Sequence, residues 1–129
     1  IYYSAVKGEK FICPIPEGTL MDMMYMPDAL NAAISLMEAD PTKLIHRNSF
    51  NLASMSFTPE IICAEIKKRL PAFTMDYNVD PVKKEIAESW PNSLDDTCAR
   101  EEWGWKPEWD LSRMTDDMLA HIRTKLGMA

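Results

Sequence analysis

Glycine is scarce in this sequence. Only Gly8, Gly18, Gly104 and Gly127 occur in 129 residues, and no two stand close enough to cradle a pyrophosphate. A glycine-rich nucleotide loop is therefore excluded from this chain. Positive charge is scarce too: 14 Lys and Arg face 20 Asp and Glu, for a net charge of −6. Nucleic acid needs a basic surface, so it is not an expected partner. The one basic run, Lys67-Lys68-Arg69, closes a predicted helix, where cations suit the dipole. No apolar run approaches the roughly 20 residues of a membrane span, and no membrane partner is expected. Histidine is limited to His46 and His121. Neither has a Cys or His at ligand spacing and no Cys-x-x-Cys occurs, so no metal site is expected. Cys13, Cys63 and Cys98 are odd in number and widely spaced, which suits reduced, buried thiols of an intracellular protein. The sequence begins at Ile1 inside a helix-like stretch. This reads as a truncation, with any targeting segment upstream.

What is present is globular: 47% hydrophobic and 26% charged residues, one domain's worth of chain. Residues 1–7 read as a helix with Tyr2, Ala5 and Val6 on one face, broken by Gly8. Phe11 to Ile15 reads as a short strand confined to an edge or end by Pro14 and Pro16, and Pro16-Glu17-Gly18 as a turn. Pro27 and Asp28 introduce a helix whose apolar positions, Leu30, Ala33, Ile34 and Met37, have the spacing of one buried stripe. Ser49 to Met55 partly alternates and reads as a strand. Thr58, Pro59 and Glu60 form a strong helix start, and the helix runs through Leu70. Phe73 to Tyr77 reads as a strand, and Asp80-Pro81 opens a helix to about Ser89. A short helix capped by Ser93 to Asp96 ends near Gly104. The last helix opens at Asp110, carries Leu111, Met114, Met118, Ile122 and Leu126 on its inner face, and stops at Gly127. The fold class is α/β or α+β, with strands too few and too short to close a sheet of their own.

Several residues invite a functional reading. Tyr3 and Lys7 have the Tyr-x-x-x-Lys spacing of a proton-transfer pair, but Gly8 stops their helix and the nucleotide loop they would need is missing. The spacing reads as coincidence. Asp95-Asp96 reads as a cap rather than a carboxylate dyad. The cluster Met21, Met23, Met24, Met26 has the composition of either a core or a pocket wall. Trp103, Trp105 and Trp109 fall within seven residues and read as an aromatic corner bracing the last helix, over a carbohydrate platform. Trp90 stands at a helix-to-loop junction ended by Pro91. It reads either as core packing or as the wall of a small-molecule pocket.

Three stretches, in order, carry a resemblance. Met24-Tyr25-Met26-Pro27-Asp28-Ala29 resembles the strand-to-helix segment of extended short-chain dehydrogenases. Glu88 to Arg100, ending Leu94-Asp95-Asp96-Thr97-Cys98-Ala99-Arg100, resembles their segment leading to "Asp-x-Ser-Lys-Ala", and Trp103-Gly104-Trp105-Lys106-Pro107 their "Leu-Gly-Trp-x-Pro". Met55 to Glu60, Ser89-Trp90-Pro91 and Glu102 before Trp103 narrow it to the L-threonine 3-dehydrogenase type. The resemblance implies a C-terminal, substrate-binding part whose Rossmann-type nucleotide-binding half, with the catalytic Tyr and Lys, is missing from this chain. It implies NAD as cofactor, held mainly by that half, L-threonine as substrate, and a homodimer. It also implies a mitochondrial setting in eukaryotes or a cytoplasmic one in bacteria. Trp90 matches a substrate-contacting tryptophan, and Tyr25 and Met26 are the secondary site residues. Catalytic, cofactor-binding and metal residues are expected to be none. Nucleotide-sugar relatives usually carry an arginine near Trp90. An indole has one neutral N–H and suits phosphate poorly. The rival readings are a nucleotide-sugar epimerase or dehydratase of the same superfamily and a non-catalytic interaction domain derived from it.

Overall fold

Helices and three-residue strands alternate along the chain in the computed structural model, which describes residues 1–128. The first helix, α1 (Tyr2–Lys7), buries Tyr2 and Ala5, one turn apart. Gly8 ends it at φ 71°, a left-handed conformation that favours a residue without Cβ. Strand β1 (Phe11–Cys13) pairs in parallel with β4 (Met75–Tyr77), setting Phe11 against Met75 and Cys13 against Tyr77. Strand β2 (Met21–Met23) pairs antiparallel with β3 (Met55–Phe57), setting Asp22 against Ser56. Among the described residues these are two separate two-stranded sheets, so each keeps two open edges. Mixed helix and strand with a parallel pair is the α/β class.

The longer helices start where proline and a cap allow. In α2 (Met26–Glu38), α3 (Pro59–Lys67) and α4 (Pro81–Ser89) a proline occupies the first or second position, where its missing N–H costs nothing. Asp80 caps α4 by accepting from the N–H groups of Val82 and Lys83. Helix α5 (Thr97–Trp103) ends at Gly104 and α6 (Leu111–Leu126) at Gly127, both left-handed. The main core joins α1, α3 and α6 through Tyr2, Ala5, Ile62, Ile66, Met114, Leu119 and Ile122. A smaller core gathers Ala32, Ala99 and Trp105.

Four expectations are corrected. The α2 stripe faces out: Leu30 is 59% exposed, Ile34 54% and Met37 85%. The buried face is Asp28 and Ala32, because the Asp28 carboxylate accepts the N–H groups of Glu108 (3.0 Å) and Trp109 (3.1 Å) and turns the helix about that anchor. The strand expected over Ser49 to Met55 lies at Met55–Phe57 instead. The preceding backbone is engaged elsewhere: Ala53 N–H donates to Asp96, and the Ala53 carbonyl accepts from the Trp105 indole. On α6, Met114 and Ile122 are buried and Leu111 and Met118 pack partly buried against the core as expected, but Thr115 and Leu119 are buried as well and Leu126 is exposed. Thr115 is buried without penalty, since its hydroxyl bonds the Tyr2 phenol at 2.8 Å and the Leu111 carbonyl at 2.7 Å. Of the cysteines, Cys13 and Cys63 are buried but Cys98 is exposed on α5, and all three are free.

Candidate functional site

Trp90 is positioned by the end of α4. Its N–H donates to the Ala87 carbonyl at 3.3 Å, its backbone is extended (φ −81°, ψ 147°), and Pro91 forbids further helix. The residue is 50% exposed. Its neighbours on either side, Ala87, Glu88 and Asn92, form one wall of a hollow of about 380 Å³. The turn Pro16 to Leu20 forms the opposite wall. That turn is held in place by Glu60 on α3, which accepts from the Gly18 N–H at 3.2 Å and from the Tyr77 phenol. Burial acts to raise the Glu60 pKa. Hydrogen bonds from Thr58, Tyr77 and Gly18 outweigh it, so the carboxyl lies below its usual value. Among the described residues, the charged groups lining the hollow are the carboxylates Glu17 and Glu88, and no Lys or Arg lines it.

The β2–β3 pair supports the far side of the Trp90 loop. The Ser56 hydroxyl lies 3.2 Å from Asp22 Oδ1 and 3.3 Å from the Asn92 carbonyl, sharing its one proton between them. The other Asp22 oxygen is buried without a partner.

Tyr25 and Met26 are consecutive at the start of α2, and the structure separates their roles. Met26 is 65% exposed. The Tyr25 phenol donates to Asp117 Oδ2 on α6 at 2.5 Å, and its ring packs edge-on to Trp109 at 4.9 Å. Burial, then the bond to Asp117, push its pKa up to about 12. Tyr25 is thus a neutral donor committed to α6. Among the described residues, no hydrogen bond or ring contact joins Trp90 to Tyr25.

The remaining motifs separate in the same way. Tyr3 is exposed, and the ammonium beside its phenol belongs to Lys125, at 2.9 Å, not to Lys7. Asp95 accepts from the Thr97 N–H and hydroxyl, while Asp96 pairs with Arg100 at 2.7 Å. The tryptophans divide: Phe50 meets Trp103 edge-on at 5.9 Å and Trp103 tilts against Trp105 in the smaller core, while Trp109 packs on Tyr25 and under the Arg113 guanidinium of α6 at 4.0 Å. His46, without a partner by sequence spacing, meets Glu102 in space, with Cys98 beside them. His46 is over 50 positions from both Cys98 and Glu102 along the chain, so spacing carries no signal of the meeting.

No family model matches the chain. An epimerase/dehydratase of Staphylococcus saprophyticus, named as uncharacterized, is 52% identical over 125 residues, covering 97% of this chain and 39% of that protein. Among solved structures, an L-threonine dehydrogenase of Clostridium difficile superposes with a TM-score of 0.94 at 54% identity, covering 97% of this chain and 39% of that one. The L-threonine dehydrogenase of Phytophthora infestans superposes at 0.92 with 42% identity, covering 97% and 40%. The chain belongs to the extended short-chain dehydrogenase superfamily. It spans about two fifths of the length of the relatives it matches. Within an extended short-chain dehydrogenase its counterpart is the C-terminal segment. Among the described residues no helix is long and apolar enough to cross a membrane.

Proposed function

We propose that the protein carrying this chain oxidises the 3-hydroxyl of L-threonine to 2-amino-3-ketobutyrate, and that this segment walls the substrate site. NAD supplies the hydride acceptor and is held mainly by the N-terminal portion, which also carries the tyrosine and lysine of proton transfer. The observation that carries the reading is the half-exposed Trp90 on a loop whose flanking residues line a hollow where, among the described residues, the charges are Glu17 and Glu88. A pyrophosphate there would face two carboxylates and no guanidinium, which is repulsive. A small zwitterion brings an ammonium, which the carboxylates attract. In this reading the exposed Trp90 side chain packs against the bound substrate and keeps solvent from it, and the resemblance of the chain to two threonine dehydrogenases supports the same substrate.

The test is Trp90→Ala in the full-length enzyme. Loss of a positioning wall lowers kcat/KM for L-threonine by about 100-fold and leaves NAD affinity near the parent value. Unchanged threonine kinetics defeat the reading. The similarity to an epimerase/dehydratase of Staphylococcus saprophyticus favours a second reading, for which we propose a sugar nucleotide as the substrate. Thermal shift with UDP- and dTDP-sugars decides between them, since a true ligand raises Tm by mass action.

A further inference from the structure

Three metal-ligating side chains converge where the loop after α2 meets α5. The ligand atoms of His46, Cys98 and Glu102 lie within 4.8 Å of one another. Cys98 and Glu102 are four residues apart on α5 and so share one face of it. His46 comes from the loop and contacts Glu102 Oε1 through its ring nitrogen. We propose that these three residues form a binding site for a single zinc ion.

The donor set selects the cation. Imidazole nitrogen, thiolate and carboxylate together suit a borderline-soft ion, and thiolate is a poor ligand for calcium or magnesium. The ligands are oriented in advance. Glu102 Oε2 accepts the N–H groups of Ile45 at 2.7 Å and His46 at 2.9 Å, which fixes the carboxylate plane and turns Oε1 toward the imidazole. The His46 ring is set edge-on to Phe50 at 6.2 Å, and Phe50 is in turn held edge-on by Trp103. Outer contacts of this kind orient ligands in zinc sites. The Glu102 side chain is 6% exposed, whereas His46 and Cys98 open to solvent, so an ion has a route of entry.

The geometry closes with small movements. With bonds of about 2.0–2.3 Å, tetrahedral zinc holds its donors roughly 3.3–3.7 Å apart. The His46–Glu102 contact opens to admit the ion, and the exposed Cys98 side chain turns inward by rotation about its own bonds. On binding, the thiol proton leaves to solvent and a water fills the fourth position. None of the three residues lines the hollow flanking the Trp90 loop, so zinc occupancy is independent of the threonine reading.

The experiment loads full-length protein with zinc alone, followed by equilibrium dialysis and metal analysis. The expected result is one zinc per chain, with affinity lowered at least tenfold by each of Cys98→Ser, His46→Ala and Glu102→Gln. Cobalt substitution adds a signature that folding defects do not mimic: a thiolate-to-cobalt charge-transfer band, abolished by Cys98→Ser. No stoichiometric zinc in the parent protein overturns the proposal. So does zinc binding, or the cobalt band, that survives Cys98→Ser.

Discussion

A single carboxylate does more to set this fold than any apolar residue on its helix. Asp28 is 1% exposed, and both its oxygens are in use: Oδ1 takes the Glu108 N–H, and Oδ2 takes the Trp109 N–H, with the Ser54 hydroxyl at 3.4 Å. Those donors sit on the linker between α5 and α6, so one side chain fastens the start of α2 to the far end of the sequence. Hydrogen bonds to a charged acceptor contribute about 1.5–3 kcal/mol, and stranding two buried N–H groups adds their desolvation. Asp28→Ala therefore lowers the unfolding free energy by about 3 kcal/mol, and Asp28→Asn, which keeps one acceptor, by less. Urea denaturation of both variants measures the order, and an Asn variant as damaged as Ala would show that packing, not hydrogen bonding, dominates the site. Sequence identified Asp28 as a helix-opening residue, and it is one. The partners 80 positions away were illegible, because a cap and a tertiary anchor use the same residue type. Tyr25 has the same lesson in reverse: a phenol read as a site residue is committed to Asp117 on α6.

At the scale of elements, period was legible and facing was not. The 3/4 spacing of Leu30, Ile34 and Met37 located α2, and the Thr58-Pro59-Glu60 start located α3. Yet spacing only says that one stripe is apolar; what covers it lies outside the helix. Interhelical polar links were equally hidden. Arg69, just past α3, reaches Asp116 on α6 through Nε at 2.7 Å and the Ser112 hydroxyl at 2.7 Å, while also contacting Glu65. Lys68 bonds Glu65 at 2.6 Å. The bond from Lys68 lowers the Glu65 pKa, burial opposes it, and Arg69 and Ser112 add to the lowering. A carboxyl whose pKa is depressed on folding stabilises fully above its unfolded value, about 4.3, and the contribution is lost as pH falls through the folded value. Glu65→Gln therefore costs stability at neutral pH and costs progressively less below about pH 4. Melting temperatures of the two proteins from pH 7 to 3 check this, and curves that stay parallel on acidification would remove Glu65 from the account.

Across the whole molecule, apolar surface is distributed as though for contact with more protein. Leu30, Ile34 and Met37 form an exposed row on α2, Val82 and Ile86 a second on α4, and both two-stranded sheets have open edges. A helix face of this kind, wetted along its length, loses the burial that favours the folded helix, about 1.5–3 kcal/mol for each large side chain left in water. Open strand edges add unpaired backbone groups and invite pairing between chains. The threonine dehydrogenase reading supplies a cover, the nucleotide-binding portion of the same protein, which in that arrangement also closes the substrate hollow beside Trp90. The 129 residues expressed alone are then expected to bind a hydrophobic dye, self-associate and melt broadly, while co-expression with the N-terminal portion sharpens the transition and removes the dye signal. Glutamate at Leu30 and Ile34 discriminates further. On a face that docks, it blocks that recovery and leaves the isolated chain more soluble; on a face that remains in solvent, it changes neither. A sharp, dye-free melt of the isolated chain would instead favour a free-standing interaction domain, since only a self-sufficient core tolerates these surfaces in water.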